Sequence, residues 1–180
     1  MARLDPLKME ELSPKQKVLH AEILQSRKRV SGPFAIWLRN PAMAEAANKL
    51  MLSMREDGKL EKRLYELIVM IVARHWSVQY AWAAHEAAAA AAGLSADVID
   101  AIRHNRKPDF KRDDERLIFQ TVSELLERKP LSQSTYHRLV KQFGLDLAIE
   151  IMSIAGFYSM VATVLNGFDV PTPNGERPFE

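Results

Sequence analysis

Glu66 is the one carboxylate in "YELIVMIVARHW", residues 65–76, a run that is otherwise mostly apolar, and His85 sits further on among alanines in "YAWAAHEAAAAAAG". A buried carboxylate without a partner costs several kcal/mol, so a chain keeps one where something nearby uses or neutralises it. An imidazole is a fitting partner. A carboxylate facing it fixes the tautomer and orients the ring, and the ring can then give or take a proton as a general acid or base. A glutamate satisfying a buried histidine is also a common structural device, and the residues alone leave both readings open.

Two helices must bring the pair together. On a wheel begun at Leu60, Glu66 shares a face with Val69, Met70 and Ala73, and the opposite face carries Leu64, Leu67, Ile68 and Ile71, so that helix is apolar all round. Within its own helix Glu66 can lean back to Lys62 or Arg63. The next helix is expected to start near Ser77, with Arg74 to Ser77 as the turn. Glu66 precedes Arg74 by eight residues and His85 follows Ser77 by eight. In an antiparallel hairpin both therefore lie about 12 Å from the turn, at about 1.5 Å rise per residue, and meet at equal depth.

Around the pair the sequence supplies walls. Trp82 and Val78 share the face of His85, and Tyr80, His75 and Trp76 gather at the turn. Aromatic rings with a few polar tips line small-molecule pockets, and they also fill ordinary cores. Arg74 is the nearest fixed cation. It reads as an anchor for a substrate carboxylate or as a helix-end arginine complementing the dipole. A metal site is not expected, because His75 and His85 fall out of phase across the turn with no second carboxylate at ligand spacing. His20, His104 and His137 lie in polar stretches and read as solvent-facing.

Helix punctuation is regular along the rest of the chain. Ser13, Asn40 and Ser95 are placed to cap helices, Pro14 and Pro41 to begin them, and Asp113 to cap "DERLIFQTVSELLERK" before Pro130 stops it. Gly93 and Gly144 end helices, and a last one is expected from about Leu145 to Leu165. The β-branched runs lie inside helix-length apolar segments, so the fold class is all-α, with about seven or eight helices. The segment "IMSIAGFYSMVATVL" reads as a core helix, being shorter than the about 20 residues that cross a bilayer. The tail "VPTPNGERPFE" reads as extended and draped on a neighbouring subunit.

Composition narrows the chemistry. The 180 residues are 47% hydrophobic and 27% charged, the balance of a single globular domain over 1–180. A net charge of +2 implies neither a nucleic-acid nor a membrane partner. The chain has no cysteine, which removes disulfides, thiolate metal sites and cysteine nucleophiles. The start "MARLDPLKMEELSPKQK" is unlike a signal or transit peptide, so a cytoplasmic location is expected.

"ELIVMIVARHWSVQYAWAAHEAAAAAAGLSADVIDAI", preceded by "GPFAIWLRNPAMAEAANKL" and followed by "FGLDLAIEIMSIAGFYSMVATVLNGFDVP", resembles the carboxymuconolactone decarboxylase family and the related alkyl hydroperoxidase D-like proteins. The resemblance runs from about Gly32 to Pro171 and is most specific at Glu66, at Tyr80, Trp82 and His85, and at the "GLS" that ends the helix. It implies an all-α homo-oligomer, a trimer or hexamer with pockets at or near subunit contacts. In the hydroperoxidase-like relatives a C-x-x-C pair precedes the histidine, and its positions fall here on Val78 and Ala81. The decarboxylase-like branch needs no cysteine. Close relatives there often carry a glutamate before the tryptophan, where this chain has Ala81.

The expected activity is therefore that of a cofactor-free lyase or isomerase on a small carboxylated lactone or related acid. His85 is the proton donor, Glu66 its orienter, Arg74 the carboxylate anchor, and Tyr80 and Trp82 line the substrate. The alternatives are a small-molecule-binding oligomer without chemistry, and a hydroperoxidase relative that has lost its redox cysteines.

Overall fold

The computed structural model describes residues 3–127 and 130–179, and among these the chain is all-α with no strand. The helices are α1 Pro14–Arg27, α2 Pro33–Trp37, α3 Pro41–Arg55, α4 Lys62–His75, α5 Gln79–Ala91, α6 Ala96–Arg103, α7 Asp113–Glu127 and α8 Gln133–Gly167, with a short 3-10 turn at Met9–Glu11. Arg128 and Lys129, the end of the segment expected before Pro130, lie outside the described residues.

Two compact units form. The first holds the chain up to Gly58 together with Val164–Val170. Its helices start where the sequence signals them. Ser13 and Gln16 cap each other's backbone N–H reciprocally at 3.3 and 2.9 Å, and the Asn40 side chain accepts from the Met43 N–H at 3.4 Å. Ile23, Phe34, Ala44 and Met51 bury their side chains in its core, and the Arg27 guanidinium lies 4.2 Å from the Phe34 ring centroid.

The second unit, Lys59–Thr163 with the segment from Pro171 onward, carries the site. Its centre is α4, in which every residue from Arg63 to Ala73 is buried, against α5, α6 and α7. Surrounding a helix on every side is what an all-apolar wheel requires. Arg63 is the charged exception besides Glu66. Its guanidinium meets Asp114 at 2.7 Å, Glu61 at 3.2 Å and the buried Glu115 of α7. Burial works against both charges, yet the hydrogen bonds from Arg112 and Arg63 hold the Asp114 carboxyl below the usual carboxylate range.

Turn geometry sets the hairpin. α4 ends in a Schellman motif, with the Ser77 N–H donating to Arg74 O and the Val78 N–H to Ala73 O, and Ser77 sits in the left-handed region at φ 50°. This differs from the expectation that α5 begins at Ser77: the αL conformation of that residue keeps it out of the helix, which starts at Gln79. Gly93, at φ 94°, closes α5 by the same motif, where a glycine meets no Cβ penalty. Asp113 likewise is not the cap but the first residue of α7, and Asp114 accepts from the Glu115 N–H at 2.7 Å.

Gly144 breaks α8. At φ 79° and ψ 168° it is non-helical, so two helical segments join there, as its position after "VKQF" indicates. By length and composition α8 would suffice to cross a membrane, and 44% of its most apolar stretch is buried inside the protein. Glu150 accepts from the backbone N–H groups of Lys59 and Leu60, both at 3.1 Å, and so ties α8 to the entrance of α4.

Candidate functional site

The α4–α5 hairpin brings Glu66 Oε2 to 2.8 Å from His85 Nδ1. Glu66 is 2% exposed, and the histidine side chain keeps 18% of its surface open. The carboxylate accepts from Nδ1–H, which fixes that tautomer, and Nε2 makes no hydrogen bond among the described residues. The partner of Glu66 is thus His85 rather than Arg63, whose three carboxylates lie elsewhere. What results is a ring held from behind, with its outer nitrogen available.

Tyr158 of α8 supplies a wall that the sequence did not point to. Its ring stands edge-on to His85, with centroids 5.3 Å apart at 88°, and its hydroxyl lies 3.0 Å from that of Tyr65. Tyr65 immediately precedes Glu66 but reads as one more apolar residue of α4, and Tyr158 sits in a charge-free helix expected to be core. Only packing of α8 on α4 brings the two hydroxyls together and the Tyr158 ring to His85.

The other site candidates have partners of their own. Among the described residues the hydrogen bonds and ring contacts of Glu66 and His85 run to each other and to Tyr158. Trp82 is fully buried, its Nε1–H donates to Glu86 Oε2 at 2.9 Å, and Arg103 both pairs with Glu86 and lies 5.7 Å from the Trp82 ring centroid. Tyr80 is buried one turn from the hairpin's bend. Arg74 Nη1 donates to Ser77 Oγ at 3.0 Å, eight residues and thus about 12 Å along α4 from Glu66.

The end of the tail packs against its own chain. Phe179 packs edge-on to Trp82 at 5.1 Å, lies 4.8 Å beneath the Arg74 guanidinium, and donates its N–H to Gln79 Oε1 at 3.2 Å.

Residues 41–111 match the carboxymuconolactone decarboxylase family. No curated protein matches the chain. Two crystal structures share its fold. One, described as an alkylhydroperoxidase AhpD core and an uncharacterized peroxidase-related protein from Ralstonia eutropha JMP134, has a TM-score of 0.79 at 18% identity, covering 99% of this chain and 94% of that one. The other, an uncharacterized peroxidase-related protein from Silicibacter sp. TM1040, has a TM-score of 0.74 at 14% identity over 94% and 90%. The matched segment, under half of the chain, contains both Glu66 and His85, and over nearly the whole length the chain shares the helical fold of these two proteins.

Proposed function

We propose that the protein is a cofactor-free lyase or isomerase acting on a small carboxylated lactone or related acid, with His85 as proton donor and Glu66 as its orienting base. The observation that carries this reading is the 2.8 Å contact between a buried carboxylate and an imidazole whose Nε2 makes no hydrogen bond among the described residues. When CO2 leaves such a substrate, the electron pair of the broken C–C bond moves into the conjugated carbonyl. That carbonyl is the sink, so no cofactor is needed. The carbon then takes the proton from Nε2–H of the imidazolium while the Glu66 carboxylate holds Nδ1–H, and the neutral ring regains its proton from water. The Tyr158 ring, edge-on to the imidazole, forms one wall beside it.

Release of CO2 from 4-carboxymuconolactone tests this reading. Turnover should fall by roughly 10²- to 10⁴-fold in His85→Ala, the range for loss of a positioned acid. Glu66→Gln should fall less, and both variants should keep the helical circular dichroism of the parent. Undiminished turnover in His85→Ala would remove the proposal.

A second reading is a binding protein without chemistry, assembled as a homo-oligomer. The burial of Trp82 under Phe179 favours it, since a residue expected to line the substrate is covered by the chain itself. Saturable ligand binding with no product over long incubation would select it. Thiol peroxidase chemistry is closed to this chain, which has no cysteine to oxidise.

A further inference from the structure

Arg74 is a cation without an anion. Beyond its bond to Ser77 and its place over Phe179 it has no ion pair among the described residues, and its Nε is buried with no hydrogen-bond partner. Nη1 is the nitrogen that Ser77 engages, and Nη2 makes no hydrogen bond among the described residues. The same side chain lines a cavity of about 370 Å³ where the C-terminal ends of α4 and α6 meet α7. That size is within the range of small-molecule pockets.

The cavity pairs an apolar wall with excess positive charge. Ile71, Ile102, Phe119 and Leu126 form the wall. Arg106 and Lys107 join Arg74 on the charged side, against Glu127 as the one carboxylate among the lining residues, although Arg106 is also shared with Asp100. The two helix C-termini oppose an anion weakly, but turn N–H groups take up carbonyls there: Val78 donates to Ala73 O and Arg106 to Ala101 O. Neither Glu66 nor His85 lines this space.

We propose that this cavity is a second binding site, specific for a small carboxylate with a compact hydrocarbon body. The hydrocarbon lies against Phe119 and the isoleucines, and the carboxylate meets the Arg74 guanidinium with Lys107 as the second cation. Phosphate offers the same charge but no body for the apolar wall, so it is the weaker ligand.

Calorimetric titration of the full chain with benzoate, and separately with inorganic phosphate, tests the proposal. Benzoate should bind saturably, lose roughly tenfold or more in affinity in Arg74→Gln and in Lys107→Glu, and bind His85→Ala as it binds the parent. Lys107 is solvent-exposed, so its reversal leaves the fold intact if Arg74→Gln does not. Absence of saturable benzoate binding would overturn the proposal, as would affinity untouched by Lys107→Glu. Loss of binding in His85→Ala alone would assign the ligand to the other site. Phosphate binding as tightly as benzoate would leave a bare anion hole and refute the hydrocarbon specificity.

Discussion

Two charged residues on α4 are buried, and they are buried for different ends. Glu66 has a single partner whose far nitrogen is open, an arrangement that can move a proton. Arg63 is 4% exposed and surrounded by Glu61, Asp114 and Glu115, an arrangement whose charge is fully answered and whose work is to lock α4 to α7. Removing one member of a buried set leaves the others uncompensated, so Arg63→Ala should destabilise the fold by about 3–5 kcal/mol. Urea denaturation checks this, and a loss under about 1 kcal/mol would show that water reaches Glu115. His85→Ala removes a part-exposed ring and leaves the buried Glu66 without its partner, so it is expected to cost stability as well as turnover.

Helix ends in the second unit depend on side chains borrowed from neighbouring elements. The Glu124 carboxylate of α7 accepts from Gln120 at 3.0 Å, from the Thr135 hydroxyl at 2.7 Å and from the Ser132 N–H at 3.2 Å, and so holds the first turn of α8. The hydrogen bond from Gln120, reinforced by those from Thr135 and Ser132 against the opposing effect of burial, lowers its pKa from 4.5 to about 2. A depressed folded-state pKa contributes stability that is present above the unfolded value and lost as pH falls through the folded one. The fold should therefore weaken between pH 4.5 and about 2. Glu124→Gln should flatten that part of the stability curve, read by denaturant midpoints at successive pH values. An unchanged acid slope in the variant would place the titrating group elsewhere.

At the scale of the whole molecule the open matter is assembly. The segment of α8 after Gly144 exposes Leu145 and Ile149, at 55% and 57%, one turn apart. Ser153 and Gly156 continue that exposed face with small residues that let another backbone approach. A second copy is the occupant proposed for it, in line with the homo-oligomer the family resemblance implies. The parent chain should then sediment above its 20.5 kDa monomer mass, and Ile149→Lys should shift it toward the monomer. A parent that sediments as a monomer would contradict this.

Much of the fold was legible along the chain because its signals are local. A cap needs only Ser13 and Gln16, a helix stop only Gly93 or Gly144, and the apolar wheel of α4 already demands neighbours on every side. Equal spacing from the turn was enough to suggest that Glu66 and His85 face each other, since in a hairpin depth is a count of residues. Ser77 escaped that logic, because nothing in its type announces a left-handed conformation.

What the sequence by itself determined was the all-α class, the hairpin and the absence of thiol chemistry, each set by residue type or by separation within one or two helices. Only the tertiary structure decided which residues surround the pair. Tyr158 comes to His85 from α8, Phe179 covers Trp82 from the tail, and Arg74 turns to a cavity formed with α6 and α7. These contacts join positions far apart in the chain, and they follow from how helices pack rather than from any spacing between the residues.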